Sequence, residues 1–115
     1  FDFITAYWLD KLSNWALEQL MRLLKQELQE EVAKDHLKIT SHWGPGYCGW
    51  DLKEQEKLLP LSGADQWGIT LSSSMLMRPV KSMSGVVGIG DQVIYKESGC
   101  GDCRLPNCAY RSLKW

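Results

Sequence analysis

The chain has 115 residues, enough for one domain with a modest hydrophobic core. Its 44% hydrophobic and 23% charged residues are ordinary for a soluble globular protein, and its net charge of −1 argues against a nucleic-acid-binding protein, which normally has a basic excess. No run of about 18 apolar residues predicts a transmembrane helix. The opening Phe1-Asp2-Phe3 carries neither an initiator methionine nor a signal peptide. We therefore expect a cytoplasmic fragment or processed chain from which part of the domain is missing.

Residues 1–39 are predicted to be helical, because apolar side chains recur there at the spacing of one helix face. This face consists of Leu17, Leu20, Met21, Leu24 and Leu28, and the opposite face carries Arg22, Lys25, Gln26, Gln29 and Glu30. Ser13 could cap a second helix, so the segment is predicted to be one helix or two with a break near residues 11–14. The charged run within 27–35 is predicted to be a solvated face.

The most distinctive segment is the glycine loop, residues 40–50, in which 42–50 reads HWGPGYCGW. Its glycines and proline exclude a helix, and its aromatic residues exclude a disordered linker. An ordered loop remains, in which glycines let a ligand approach the backbone and aromatic rings form flat walls. We therefore predict a binding site. The six tryptophans of the chain suit such walls or a partner interface, with burial in the core as the alternative.

The chain is predicted to change from helix to strand after this loop. A capping-box pattern at 51–54 begins a short helix that ends at Pro60, so 51–60 is assigned to it. Within 67–96, strands are predicted at 67–71, 82–87 and 92–96, with a hairpin turn at 88–91. Helices followed by strands predict an α+β fold: N-terminal helices packed on a small twisted antiparallel sheet, then a cysteine-bearing C-terminal loop over 97–115.

The C-terminal loop contains a cysteine pattern typical of metal binding. Cys100, Cys103 and Cys108 form C-x-x-C-x-x-x-x-C, in which two thiolates three residues apart can face one metal ion. Cys48 in the glycine loop could supply a fourth ligand for zinc or for an iron–sulfur cluster. A disulfide or free thiols are the alternative, and the lack of a secretory signal favours reduced thiols.

Two segments carry recognisable motifs. One is Pro45-Gly46-Tyr47, with His42 four residues before Gly46, and the other is LSSSMLMRPVKSMSG at 71–85. Together they resemble the R-x-x-P-G-Y and L-T-x-S-x-x-M-x-P-x-x-S-V-S-G motifs of the activation (reactivation) domain of cobalamin-dependent methionine synthase. The resemblance covers 40–95 well and the N-terminal helix loosely. The P-G-Y-x-x-W variant and the trailing cysteines look most like short anaerobe-type relatives. We expect the chain to be the C-terminal part of a larger activation domain.

The resemblance implies a groove that binds S-adenosylmethionine beside a corrinoid domain. Carried over by position, the cofactor-binding residues are His42, Trp43, Gly44, Pro45, Gly46, Tyr47, Ser84 and Tyr95. Glycine backbone groups would bind the ligand, and aromatic rings could hold its sulfonium and stack its adenine. His42 stands where the family has an arginine that pairs with the ligand carboxylate, and a histidine is a weaker, pH-dependent partner. Arg78 or Lys81 could take this role instead.

The implied function is reactivation of an oxidised corrinoid. Such a module docks over the cobalamin of a corrinoid-binding protein or domain and presents S-adenosylmethionine, so that cob(I)alamin is methylated once a donor such as flavodoxin or ferredoxin has produced it. The module contributes positioning, and the corrinoid performs the bond chemistry. Two alternatives stay open. One is a metal-stabilised protein-interaction domain without S-adenosylmethionine binding, and the other is a methyltransferase with another acceptor. Neither nucleic acid nor membrane is expected as a partner.

Overall fold

The N-terminal helix α1, Phe3–Ala33, is continuous over 31 residues in the computed structural model, which describes residues 2–97 and 99–108. Asp2 caps it, because its carboxylate accepts a hydrogen bond from the backbone N–H of Ile4 at 3.0 Å. The alternative of two helices is wrong. Ser13 donates its hydroxyl to the carbonyl of Leu9 at 2.6 Å, one turn back, and so does not cap a second helix.

The first half of α1 projects from the body of the protein. A helix of 31 residues is about 46 Å long, and the radius of gyration, 15.9 Å, exceeds the value of about 13 Å for a compact chain of this length. The exposed large side chains of this half are Phe3, Ile4, Tyr7, Trp8, Leu9, Leu12 and Trp15. The Lys81 ammonium ties this half to the rest of the chain, because it bonds to Asp10 and, at 2.7 Å, to Asn14. Within the described residues no helix has the combination of length and hydropathy that crossing a membrane requires.

The second half of α1 buries only part of the predicted apolar face, with Leu17, Met21 and Leu28 half-buried, and it also buries Lys25 from the predicted polar face. Lys25, predicted on the polar face, is 8% exposed, whereas Leu20 and Leu24 of the predicted apolar stripe are 62% and 48% exposed. Lys25 lies three residues before the half-buried Leu28 and so shares its side of the helix. Its ammonium donates to the backbone carbonyl of Glu97 at 3.0 Å, and this bond allows the charge to be buried. The charged run within 27–35 is exposed, as predicted.

Strand β1, Lys38–Ile39, follows α1 and pairs antiparallel with β4, Ile89–Gly90. Lys38 lies opposite Gly90 and Ile39 opposite Ile89. The predictions of helix through residue 39 and of a hairpin turn at 88–91 are therefore wrong. Ile39 has no exposed surface, and β1 lies against α1. This small sheet joins the N-terminal helix to the C-terminal half of the chain.

A second antiparallel pair joins β2, Thr70–Leu71, to β3, Met77–Arg78. The α+β fold with antiparallel pairing is confirmed, although the strands form two separate pairs. The predicted strand at 67–71 is shorter, because 64–67 is a 3₁₀ turn. The strand predicted at 82–87 is reduced to a single bridge, and 92–96 is not a strand. At Gly88 the backbone N–H donates to the Thr40 hydroxyl at 2.8 Å. The hydrogen bond that would extend the strand pairing there therefore goes to a side chain.

The central helix α2, Gln55–Ser62, begins after a 3₁₀ turn at Leu52–Glu54. The predicted cap is present, because the Asp51 carboxylate accepts from the Lys53 N–H at 2.9 Å. The predicted end at Pro60 is wrong: Pro60 lies inside α2, which ends at the left-handed Gly63, φ 68°. Because Pro60 has no backbone N–H, α2 loses one hydrogen bond, which would have gone to a carbonyl of its exposed first turn. Together with Ile39, the buried apolar side chains Leu58 and Leu59 make up the core of the described residues.

Candidate ligand-binding site

The two sequence motifs meet along one seam, formed by 42–44 of the glycine loop and 84–86. Trp43 and Val86 exchange both backbone hydrogen bonds, at 2.9 and 2.7 Å. One residue earlier on the loop, the His42 ring bonds through Nε2 to the carbonyl of Ser84 at 3.0 Å. Segments 42 residues apart in sequence thus lie side by side through backbone pairing and one side-chain bond.

Glycines allow the close approach of the two segments. A Cβ on Gly85 would lie 2.1 Å from His42 Nε2 and 2.5 Å from the Trp43 carbonyl oxygen. A Cβ on Gly44 would lie 2.8 Å from the Ser84 carbonyl oxygen. Both distances to backbone oxygens are shorter than real Cβ contacts, so no larger residue fits without movement. Gly44 is buried at this seam, where it faces the protein.

A cavity of about 360 Å³ opens beside the seam. Its size lies within the range of small-molecule sites, about 300–1,000 Å³. Its walls come from α1, α2 and both sides of the seam, and include Leu24, Lys25, His42, Leu58, Met83 and Ser84. Of the eight predicted ligand residues, His42 and Ser84 line this cavity. It is a mostly apolar pocket with a few polar groups at one side.

The other predicted ligand residues lie outside this cavity. Trp43 packs against the cysteine tail, since a Cβ on Gly99 would lie 2.9 Å from the end of its indole ring. Pro45 is buried, and Gly46 turns the loop with φ 88°. Tyr47 and Tyr95 are 65% and 38% exposed. The structure thus divides the predicted set into cavity residues, packing residues and two exposed tyrosines.

The hydrogen bond of His42 limits what its ring can bind. A carbonyl only accepts, so His42 Nε2 carries the proton in the bond to Ser84. The Nδ1 of a neutral ring is then an acceptor, and pairing with a carboxylate requires a second proton. Of the two alternative cations, Lys81 is bound to Asp10, whose pKa it holds below the ordinary value. Arg78 is exposed in β3 and does not line the cavity.

Lys25 is the cation that the structure places at the cavity, and sequence reasoning missed it. Its ammonium has three donors, of which one is used by the Glu97 carbonyl. The signal was present in the sequence: Lys25 lies four residues after Met21 and three before Leu28, on the side of α1 that lines the cavity. A lysine at that spacing buries its stem and presents its charge at the edge of an apolar surface.

Gln55 is the second polar residue that sequence reasoning missed. It is 2% exposed, and its amide donates to the Ser84 hydroxyl at 2.6 Å. Its other amide atom, Oε1, is buried without a hydrogen-bond partner in the described part of the chain. A buried acceptor without a donor is unfavourable by about 1–3 kcal/mol. Gln55 therefore fixes the Ser84 hydroxyl from α2. Its Oε1 is a hydrogen-bond acceptor without a donor among the described residues.

A second cavity, of about 650 Å³, lies on the other side of α2. Its walls are formed by Glu56, Leu59, Pro60, Asp65, 69–73 and Met75. Its walls include the first half of the segment 71–85, called the serine–methionine motif from here on, and none of the eight predicted ligand residues. Among the described residues, its walls contain no lysine, arginine or histidine, so that part of the chain offers no cation there for a carboxylate.

The four predicted metal ligands, Cys48, Cys100, Cys103 and Cys108, are not joined in disulfides. Cys48, in the left-handed conformation with φ 53°, shares a side-chain hydrogen bond with Cys103. That bond, with partial burial and the charges of the other three thiols, raises the pKa of Cys48 to about 11. Within 2–97 and 99–108, no three side chains of His, Cys, Asp or Glu converge closely enough to hold a metal ion. The end of the predicted tail, 109–115, lies outside the described residues.

In the reduced, metal-free chain, Cys48 is expected to react slowly with iodoacetamide near pH 8 and faster as the pH rises towards about 11, because only the thiolate reacts. Since a raised pKa stabilises the folded thiol form, this contribution to stability is lost between the ordinary value of 9.0 and about 11. Cys103→Ser is expected to lower the pKa of Cys48 more than Cys108→Ser, whose charge contributes least. Peptide mass spectrometry across pH measures both. Equal labelling profiles in the two variants would contradict the assignment.

Comparisons of the chain with protein-family models, with curated proteins and with solved structures found no match. The functional inference therefore depends on the two motifs and on the geometry that joins them.

Proposed function

We propose that the protein is a cytoplasmic S-adenosylmethionine-binding module that supports reductive methylation of oxidised cobalamin in a corrinoid methyltransferase such as methionine synthase. One observation carries the proposal. The glycine loop and the serine–methionine motif, on which the family resemblance depends, lie against each other through Trp43, Val86, His42 and Ser84. A cavity of small-ligand size opens where they meet.

The chemistry of the cavity suits the two ends of S-adenosylmethionine. The ligand has an apolar, aromatic adenine and a zwitterionic amino-acid end, joined through a sulfonium cation. Leu24, Leu58 and Met83 offer apolar surface for the base. Lys25, in the cavity wall, offers a cation for the carboxylate.

The proposed role of the module is positioning, without acid–base catalysis. When bound on a partner protein or domain, cobalamin supplies the bond chemistry. A flavodoxin or ferredoxin would supply the electron. This chain's residues would hold the ligand at the seam, and the exposed Tyr47 would face the corrinoid. The exposed aromatic and aliphatic side chains of the first half of α1 suit a protein partner, because large exposed apolar patches commonly mark interfaces.

Calorimetric titration of the intact chain with S-adenosylmethionine tests the proposal. Binding in the micromolar to millimolar range is expected, and Lys25→Met is expected to weaken it about tenfold or more, as for loss of a hydrogen bond to a charged group. Lys53→Met is the matched control, since Lys53 is exposed in the 3₁₀ turn and does not line the cavity. Its affinity should stay within about twofold of the parent chain.

Two outcomes of this titration would count against the proposal in different ways. No heat of binding at millimolar ligand would exclude S-adenosylmethionine binding by this chain. Binding that is equally strong in Lys25→Met and Lys53→Met would place the ligand outside the cavity.

The same titration separates the alternatives. A metal-stabilised interaction domain is favoured by the exposed apolar residues of α1, and it predicts no binding of S-adenosylmethionine. A methyltransferase with a doubly wound parallel sheet is not supported, because every strand pair within 2–97 and 99–108 is antiparallel.

A further inference from the structure

The side of α1 that faces away from the body of the protein carries an apolar stripe. Leu17 and Met21, half-buried and four residues apart, mark the side of the helix that packs on the body. Trp8, Leu12 and Trp15 recur at a similar spacing, but the helical turn of 3.6 residues places them on the opposite side. They are 58%, 58% and 60% exposed. We call these three residues the tryptophan stripe.

The first half of α1 has little tertiary support of its own. Its link to the body is on the other side of the helix, where Asp10 and Asn14 bond to the Lys81 ammonium. A helical segment of about 12–15 residues is only marginally stable in water without packing. A second helix laid on the tryptophan stripe would supply that packing and remove the rings from water.

The exposed apolar area is of the size that a weak dimer needs. Tyr7, Trp8 and Trp15 are 56–60% exposed, and rings of this kind bury about 150–250 Å² each, which gives roughly 250–450 Å² for the three exposed portions. Leu9 and Leu12, 60% and 58% exposed, add to this area. Specific interfaces at the low end of the size range bury less than about 1,200 Å² in total, or about 600 Å² on each partner.

The spacing along the stripe is that of a two-stranded helical pair. Thr5, Trp8, Leu12, Trp15 and Gln19 are separated by 3, 4, 3 and 4 residues. This is the spacing of the apolar seam between two supercoiled helices. Polar residues stand at both ends of the run, so the apolar contact is limited to the first half of α1.

The charges beside the stripe favour an antiparallel copy of the same helix. Lys11 and Glu18 are exposed, lie seven residues apart on one flank, and are in no ion pair within the described residues. About a two-fold axis between residues 13 and 14, Leu12 meets the partner's Trp15 and Lys11 meets the partner's Glu18. The two-fold symmetry repeats both contacts. A parallel copy would bring Lys11 to the partner's Ala16 instead, with no charge to pair.

The same charges disfavour a membrane as the occupant of the stripe. Within residues 2–18, the three carboxylates of Asp2, Asp10 and Glu18 outnumber the single cation of Lys11. Helices that lie on membrane surfaces are instead rich in lysine and arginine on their polar face, because anionic lipids attract them.

We propose that the protein forms a homodimer in which the first halves of two α1 helices pair antiparallel along the tryptophan stripe. The partner of this surface is a second copy of the chain. Met21, Lys25 and Leu28, which line the cavity beside the seam, lie on the body side of α1. Dimerisation therefore leaves that cavity accessible, and the inference does not depend on the proposed function.

Sedimentation velocity of the intact chain over a range of concentrations tests the dimer. A monomer–dimer equilibrium in the micromolar range is expected for an interface of this area. Leu12→Glu should weaken the dimer by about 100-fold or more, because it places an unpaired charge at the centre of the contact in each copy. Leu61→Glu is the matched control, since Leu61 is 84% exposed on α2 and lines neither cavity. Its dissociation constant should stay within about twofold of the parent chain.

Charge reversal tests the antiparallel register. Lys11→Glu and Glu18→Lys should each weaken the dimer by about tenfold, because each replaces two attractive pairs by two repulsive ones. The double variant restores both pairs with opposite sign and should recover the parent dissociation constant within about threefold. All three substitutions are at exposed helix positions, so this test stands even if Leu12→Glu folds poorly.

Four results would overturn the inference. One is a chain that stays monomeric at every concentration, and another is a dimer that Leu12→Glu leaves as strong as Leu61→Glu does. Charge reversals that have no effect, or that the double variant does not rescue, would exclude the antiparallel pairing. A monomer that sediments with vesicles of phosphatidylcholine and phosphatidylglycerol would assign the tryptophan stripe to a membrane.

Discussion

Gly85→Ala is expected to destabilise the protein by about 3 kcal/mol, at the upper end of the usual effect of inserting a methyl group into packed structure. The added Cβ would lie 2.1 Å from His42 Nε2 and 2.5 Å from the carbonyl oxygen of Trp43. The His42 ring can rotate only by losing its bond to Ser84, and the Trp43 carbonyl is fixed because it accepts from Val86 at 2.7 Å. The seam must therefore open, whichever contact gives way.

Urea denaturation of Gly85→Ala and of Gly101→Ala measures this effect. A Cβ on Gly101 meets nothing within 4 Å, so the control should change the free energy of unfolding by less than about 0.5 kcal/mol. Because the seam joins the two motifs, the proposed function predicts that Gly85→Ala also reduces S-adenosylmethionine binding in protein that is still folded. Equal stabilities of the two variants would mean that the seam is more loosely packed than the structure indicates.

Ile39→Ala is expected to cost about 3–4 kcal/mol, within the range for removing three methyl or methylene carbons from a packed core. Ile39 has no exposed surface, and it joins β1 to β4 while facing α1. The core of the described residues is small, with Leu58 and Leu59 as its other buried apolar side chains. The cavity left by the truncation therefore has few neighbours that can fill it.

Ile94→Ala is the matched control for this substitution, because Ile94 is 75% exposed and lies outside the strands. It removes the same atoms and should change the free energy of unfolding by less than about 0.5 kcal/mol. Thermal and urea unfolding of both variants give the comparison. A cost for Ile39→Ala no larger than that for Ile94→Ala would show that β1 does not anchor the fold.

Much of the local structure was predictable from the sequence. The periodicity predicts α1, and the capping box predicts the start of the central helix. Helices followed by short apolar runs predict the α+β class. These features depend on residues within one or two turns of each other, so a linear pattern contains them. The glycine loop was recognisable for the same reason.

The pairing of the strands was not predictable in this way. Residues 38–39 look like the end of a helical run and 88–91 like a turn, yet they become β1 and β4 because they pair with each other. A two-residue strand has no alternation that a pattern could detect, and its stability comes from a partner about fifty residues away. Only the tertiary structure decides such pairs.

The residues of the candidate site likewise fall into those that the sequence identifies and those that only the structure identifies. The sequence by itself determined the two motifs, the four cysteines and His42 as residues of interest. The tertiary structure decided that His42 uses Nε2 on Ser84, that Lys25 lines the cavity, and that Gln55 supports the seam from α2. It also packed the cysteine tail against the glycine loop, at Gly99 and Trp43. The physical reason is common to all four: the partner of each group is distant in sequence, and burial or a hydrogen bond with that partner fixes what the side chain can do.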